Sequence, residues 1–171
     1  DDYGIAKYFS NDVIRGMENV VNLRLFGVFG KNENYRFKFI SNSIVKILLD
    51  LDIKIAQDVI FDYLYVDDFL HILDYFIEND FACSDYNITP TASVSLIEII
   101  EMINGITNKK SEIVVVNGGK NYQYTGSNRR LMDFIGNFDF MPYKESINHL
   151  INYYKQNIEK LDKSLIVEDI Y

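Results

Sequence analysis

Tyr3 and Lys7 stand four residues apart in the opening segment Asp1-Asp2-Tyr3-Gly4-Ile5-Ala6-Lys7. On a helix that spacing places both side chains on one face, a turn from each other. An ammonium held beside a phenol favours the phenolate, so the phenol can give and take a proton near neutral pH. A solvated surface pair has the same spacing. The pattern alone does not choose between them.

The other groups with chemical potential point elsewhere. His71 and His149 are far apart in the chain, with no cysteine or carboxylate at ligand spacing, so no metal is expected. Asp67 and Asp68 are adjacent, and neighbouring helical residues point in different directions. They read as an N-cap rather than as a catalytic pair. Cys83 is the single cysteine, which excludes an internal disulfide and fits a reducing compartment, with the thiol as a small apolar filler. Gly118-Gly119 lacks the length and the following Lys-Ser/Thr of a phosphate loop, and no GxGxxG occurs.

These residues sit in a chain of 171 that is 48% apolar and 15% aromatic, enough for one domain with a sizeable core. A formal charge of −8 without any Lys/Arg run argues against nucleic acid. No stretch approaches the roughly 18 apolar residues of a membrane span, and no signal-peptide pattern opens the chain. A soluble, cytoplasmic protein is expected.

The elements alternate between helix and strand patterns. Residues 3–16 read as the helix carrying the Tyr/Lys face. Residues 19–30 (NVVNLRLFGVFG) read as one buried strand ended by glycine. A helix is predicted over 37–51, two short strands over 53–66, and a helix over 67–79 with acids at its start. Residues 85–89 form a short strand. Ser95 and Glu98 make a capping box for a helix that Gly105 stops. A strand at 113–116 and a long helix over 143–161 follow, and 162–171 reads as a tail.

Taken in order, several segments resemble one family. They are Tyr3-Gly4-Ile5-Ala6-Lys7, Leu23-Arg24-Leu25-Phe26-Gly27-Val28-Phe29-Gly30, Phe61-Asp62-Tyr63-Leu64-Tyr65-Val66-Asp67-Asp68, and Tyr86-Asn87-Ile88 followed by Ser95-Leu96-Ile97-Glu98. The chain is similar to the C-terminal half of the extended short-chain dehydrogenase/reductases, the NAD-dependent epimerase/dehydratase family acting on nucleotide sugars. Patterns there run YGxSK, LRxxNVYGP, RDFIYVDD and YNIGxGxxxSxxEL. The closing section, Tyr124-Thr125-Gly126 to Arg130-Leu131 and then Phe140-Met141-Pro142, looks like the family's as well. The likeness covers roughly residues 1–160.

The resemblance implies an α/β fold, the C-terminal part of a Rossmann-type enzyme with its small mixed α/β substrate-binding domain. Residues 1–30 would end the dinucleotide-binding domain and 31–161 would bind substrate, with 85–89 returning to the Rossmann sheet. It implies Tyr3 as the acid/base, and Lys7 as its activating partner and a ribose contact. Phe26 would touch the cofactor, NAD or NADP. Gly27, Lys38 and Arg129 would face a nucleotide-sugar substrate, and a homo-oligomer is expected.

Departures are specific. The family's nucleotide-contacting Asn is Gly27 here, the Arg of RDF that holds a phosphate is Phe61, and the glycines of YNIGxG give way to Thr89-Pro90-Thr91. Arg36, Lys38 or Arg129 would have to stand in for the lost phosphate clamp. The family's pyrophosphate-binding turn and its catalytic Ser/Thr have no counterpart in the sequence. The chain is therefore expected to be a piece of a longer enzyme, inactive alone. The alternative is a non-catalytic module of the same fold that binds a nucleotide sugar or a protein.

Overall fold

The computed structural model describes residues 1–119 and 122–166. Helix α1 (Asp2–Ile14) opens the chain, its first turn capped by the Asp1 carboxylate, which accepts from the Gly4 N–H at 2.6 Å. Strands β1 (Asn22–Leu25) and β2 (Gly27–Phe29) precede helix α2 (Phe39–Leu48). Three short strands, β3 (Ile53–Ile55), β4 (Ile60–Phe61) and β5 (Tyr63–Tyr65), lead into helix α3 (Val66–Glu78). Then come β6 (Asp85–Ile88), β7 (Val94–Ser95), α4 (Leu96–Thr107), β8 (Ile113–Val115), α5 (Arg129–Ile135) and α6 (Tyr143–Asn157). Single turns of 3₁₀ helix at Ile158–Lys160 and Lys163–Leu165 end the described chain.

The strands pair two by two. β1 runs parallel to β6, β2 to β5 and β3 to β8, while β4 and β7 are antiparallel. Parallel partners cannot be joined by a tight turn, and helices intervene in each of the three parallel connections. The result is an alternating α/β fold.

The single strand expected over 19–30 is two strands with different partners: Leu23 lies opposite Tyr86, and Val28 opposite Leu64. The break falls at Phe26, where two glycines allow close approach. A Cβ on Gly126 would lie 2.5 Å from the Phe26 ring, and one on Gly27 would lie 3.0 Å from the Tyr63 ring.

Burial follows the strand alternation. In β5, Tyr65 joins a core formed where α2, α4 and α6 pack on one another through Ile44, Ile99, Ile103, Ile147 and Ile151. Leu64 points to a second core with Ile72, Phe76, Tyr86, Ile88 and Leu131. Each fully buried isoleucine stabilises the fold by about 1.5–3 kcal/mol. Helix α1 stands apart from both cores. None of its residues is buried, and the Asn22 side-chain amide donates to Asn11 Oδ1 at 2.7 Å, tying it to β1.

Several boundaries differ from the sequence reading. Helix α4 has the expected capping box, with Glu98 N–H donating to Ser95 Oγ at 3.2 Å and Ser95 N–H donating to Glu98 Oε2 at 2.7 Å. It does not stop at Gly105. The helix continues to Thr107 because Ile106 still packs on the core, and Asn108 supplies the left-handed terminus at φ 54°. Asp67 and Asp68 are not the N-cap of α3. Tyr65 holds that position, and the two acids occupy the first turn, where the helix dipole favours them. The last helix is shorter than expected and tightens into a 3₁₀ turn after Asn157. Part of the expected tail is core, since Ile166 is buried in the first cluster, and residues 167–171 lie outside the described residues.

Candidate active site

The junction between β1 and β2 opens onto a cleft of 420 Å³. Phe26 and Gly27 come from the junction itself, Lys38 from the N-terminal end of α2, Gln57 from the turn after β3, and Phe61 and Tyr63 from β4 and β5. Three of the residues singled out from sequence, Phe26, Gly27 and Lys38, are thus walls of one cavity.

Two of its walls, Phe61 and Tyr63, belong to an aromatic stack. Phe61 lies between Tyr63, 4.8 Å away and tilted 28°, and Tyr124, 5.1 Å away and tilted 8°. Near-parallel rings at these distances add about 0.5–1.5 kcal/mol per pair beyond their burial. Where the family pattern has an arginine, this chain has the middle ring of a stack.

Asp62 holds the stack together. Strand alternation turns its side chain away from Phe61 and Tyr63, and it is buried. Its carboxylate accepts from Ser93 Oγ at 2.6 Å and from the Gly126 N–H at 2.7 Å, while its own N–H donates to the Tyr124 carbonyl at 3.2 Å. These bonds place Tyr124 against Phe61 and Gly126 beneath Phe26. The sequence reading quoted Asp62 within a motif without a role. An acid between two aromatics in a strand was the available signal.

Glu33 is a second group that the sequence reading missed. It lines the cleft and accepts from Ser41 Oγ in the first turn of α2. Desolvation raises its pKa from the ordinary 4.5, opposed by the Ser41 hydrogen bond and the Lys38 charge. Lys38 and Glu33 give the cleft one base and one acid among apolar walls.

The remaining candidates lie outside these walls. On α1, Lys7 Nζ sits 5.4 Å from the centre of the Tyr3 ring, and Tyr3 is 72% exposed. The helix brings the pair together as the spacing implies, on a face open to solvent. Arg129 stands on α5, near Asp133 at 3.8 Å. Arg36 lies over the Phe37 ring at 5.1 Å. Cys83 is half-buried against the second core. His71 and His149 are both exposed. Among the described residues, no helix is long and apolar enough to cross a membrane.

The parallel pairs, the helices that connect them and the cleft beside the β2 terminus define a Rossmann-type α/β protein. The NAD dependent epimerase/dehydratase family matches residues 1–89, and the chain belongs to that family. No curated protein matches it. Among solved structures it is similar to UDP-glucose 4-epimerase from Thermotoga maritima, with UDP-glucose, at 17% identity and TM-score 0.76 over 91% of this chain and 54% of that one. It is also similar to UDP-glucuronic acid 4-epimerase from Bacillus cereus, in complex with NAD, at 20% identity and TM-score 0.66 over 80% of this chain and 44% of that one. A GDP-L-fucose synthetase from Naegleria fowleri matches at 15% identity and TM-score 0.69, over 92% and 52%. The chain spans about half the length of these structures.

Proposed function

We propose that this chain supplies the acid/base helix and the substrate-binding portion of an NAD(P)-dependent enzyme that modifies a nucleotide sugar. The observation carrying this reading is that the family match runs continuously from the Tyr3/Lys7 helix through the strands that wall the cleft. Tyr3 would exchange a proton with a sugar hydroxyl or carbonyl, and Lys7, beside its ring, would favour the phenolate and contact the nicotinamide ribose. A bound dinucleotide supplies the hydride acceptor. The open face of α1 leaves Tyr3 and Lys7 accessible to it, with Phe26 as the aromatic contact.

On the substrate side, Gly27 would present its backbone to a nucleotide, the aromatic walls suit a base or a sugar face, and Lys38 offers an ammonium to a phosphate. Arg129 would supply a second cation. Residues 1–30 would belong with the dinucleotide-binding unit and 31–161 with the substrate-binding unit. β6 returns to the first of these through its pairing with β1. UDP-sugar and GDP-sugar turnover with NAD or NADP, assayed on a full-length enzyme containing this chain, tests the reading. Turnover on one of them that Lys38→Ala weakens mainly through KM supports it. Absence of turnover on every nucleotide sugar, with UDP and GDP both failing to bind, would leave the non-catalytic protein-binding module.

A further inference from the structure

Three residues that line the cleft, Glu33, Phe37 and Lys38, come from the segment 30–38 that joins β2 to α2. A connection with no helix or strand ladder of its own takes its shape from what its side chains and carbonyls grip. Two of its residues grip α6 and the turn that follows it. Asn32 Oδ1 accepts from Tyr153 Oη at 2.9 Å, and Tyr35 Oη accepts from the Asp162 N–H at 3.1 Å. The Tyr35 ring also meets Tyr154 edge to face, with 6.4 Å between centres and 73° between planes.

The segment is held from α2 as well. The buried Asn42 side-chain amide donates to the Tyr35 carbonyl at 3.1 Å and lies 3.3 Å from the Arg36 carbonyl. Asn32 sits at a left-handed φ of 66°, which asparagine tolerates better than most residues. Glu33 follows Asn32 directly, and Phe37 and Lys38 come two and three residues after Tyr35. Among the described residues, none from α6 or the turn after it lines the cleft.

We infer that Tyr153 and Tyr35 are positioning residues for the cleft. Through Asn32 and the Asp162 amide they fix the segment that presents Glu33, Phe37 and Lys38 to a ligand, and their effect on nucleotide affinity rests on the function proposed above. The C-terminal part of the chain thereby shapes a site that it does not touch.

Titration of this chain with UDP and GDP, paired with hydrogen exchange at the amides of residues 31–38, tests the inference. Tyr153→Phe and Tyr35→Phe each remove one hydroxyl and keep the ring. Each should weaken whichever nucleotide binds by about fivefold, the worth of one hydrogen bond, and speed exchange in 31–38 by a similar factor. Asn32→Gly keeps the left-handed backbone and should match Tyr153→Phe, whereas Asn32→Asp keeps an acceptor and should retain wild-type affinity. Tyr153→Phe combined with Asn32→Gly should lose no more than either alone. A role confined to stability would lower the melting temperature and leave affinity unchanged well below it. Unchanged affinity in both tyrosine variants therefore overturns the inference, as do additive losses for Tyr153→Phe and Asn32→Gly. Where the wild-type chain binds neither nucleotide at about 10 mM, the nucleotide reading of the cleft fails, and exchange decides the positioning by itself. Faster exchange in 31–38 then supports it, and unchanged exchange overturns it.

Discussion

The Phe61 and Tyr124 rings stack 5.1 Å apart and 8° from parallel, although the two residues belong to segments far apart in sequence. The same segments are joined by Tyr124 N–H donating to the Ile60 carbonyl at 2.9 Å and by the Asp62 carboxylate. The stack beside the cleft is therefore a local tertiary unit, and its energetics can be measured separately from catalysis.

Asp62→Ala should destabilise the fold by about 3 kcal/mol, because the Gly126 N–H and the Ser93 hydroxyl both lose a buried acceptor. Phe61→Ala should cost about 2 kcal/mol, since it removes a half-buried ring and two stacking partners. Urea unfolding of both variants gives these values. A change under about 0.5 kcal/mol for Asp62→Ala, the level of an ordinary surface substitution, would show that the loop is not held as described.

Glu33 and Asp68 should each add stability at acid pH. Both carboxyls have folded pKa values raised above their ordinary 4.5 and 3.8, with desolvation as the first cause. Their contribution is full below the unfolded pKa and is lost as pH rises through the folded one. Melting temperature should accordingly fall as pH rises from about 4.5 toward neutrality, and Glu33→Gln should flatten part of that slope. An unchanged pH profile in Glu33→Gln would assign the slope to other groups.

Much of this was legible in the sequence because the signals were local. The capping box at Ser95 and Glu98, the Tyr3/Lys7 spacing and the apolar periodicity of α2 and α3 each depend on residues within one or two turns. The division of residues 19–30 into two strands was not legible, because it depends on Phe26 meeting Gly126 one hundred positions later. Asp62 and Glu33 escaped for the same reason. Their partners Gly126, Ser93 and Ser41 become neighbours only through the tertiary fold. Helix α4 ran past Gly105 because core packing by Ile106 outweighed the local cost of a glycine.

Titration of this 171-residue chain with NAD, NADP and their reduced forms should show no saturable binding below millimolar concentration. The sequence contains no glycine-rich turn to receive the pyrophosphate at a helix N-terminus, so only ribose and nicotinamide contacts would remain. A micromolar dissociation constant would show that the chain holds a dinucleotide by other means.

Self-association should accompany the exposed face of α1. Tyr3, Ile5, Tyr8, Phe9 and Val13 are all more than half exposed, and the helix buries nothing. Ile5, Phe9 and Val13 recur at four-residue spacing along one face of the helix, and a second copy offers the same stripe. Light scattering over a concentration series should report a dimer that Tyr8→Lys with Phe9→Lys dissociates. A monomer at high micromolar concentration would contradict this.

The most direct test is the Tyr3→Phe substitution in a full-length enzyme containing this chain, with turnover and dinucleotide affinity measured together. The proposed acid/base role predicts a fall in kcat of about a hundredfold or more with cofactor binding nearly unchanged, whereas Lys7→Ala should damage both. Retention of most of the wild-type rate by Tyr3→Phe would contradict the assignment of Tyr3 as the proton donor and acceptor.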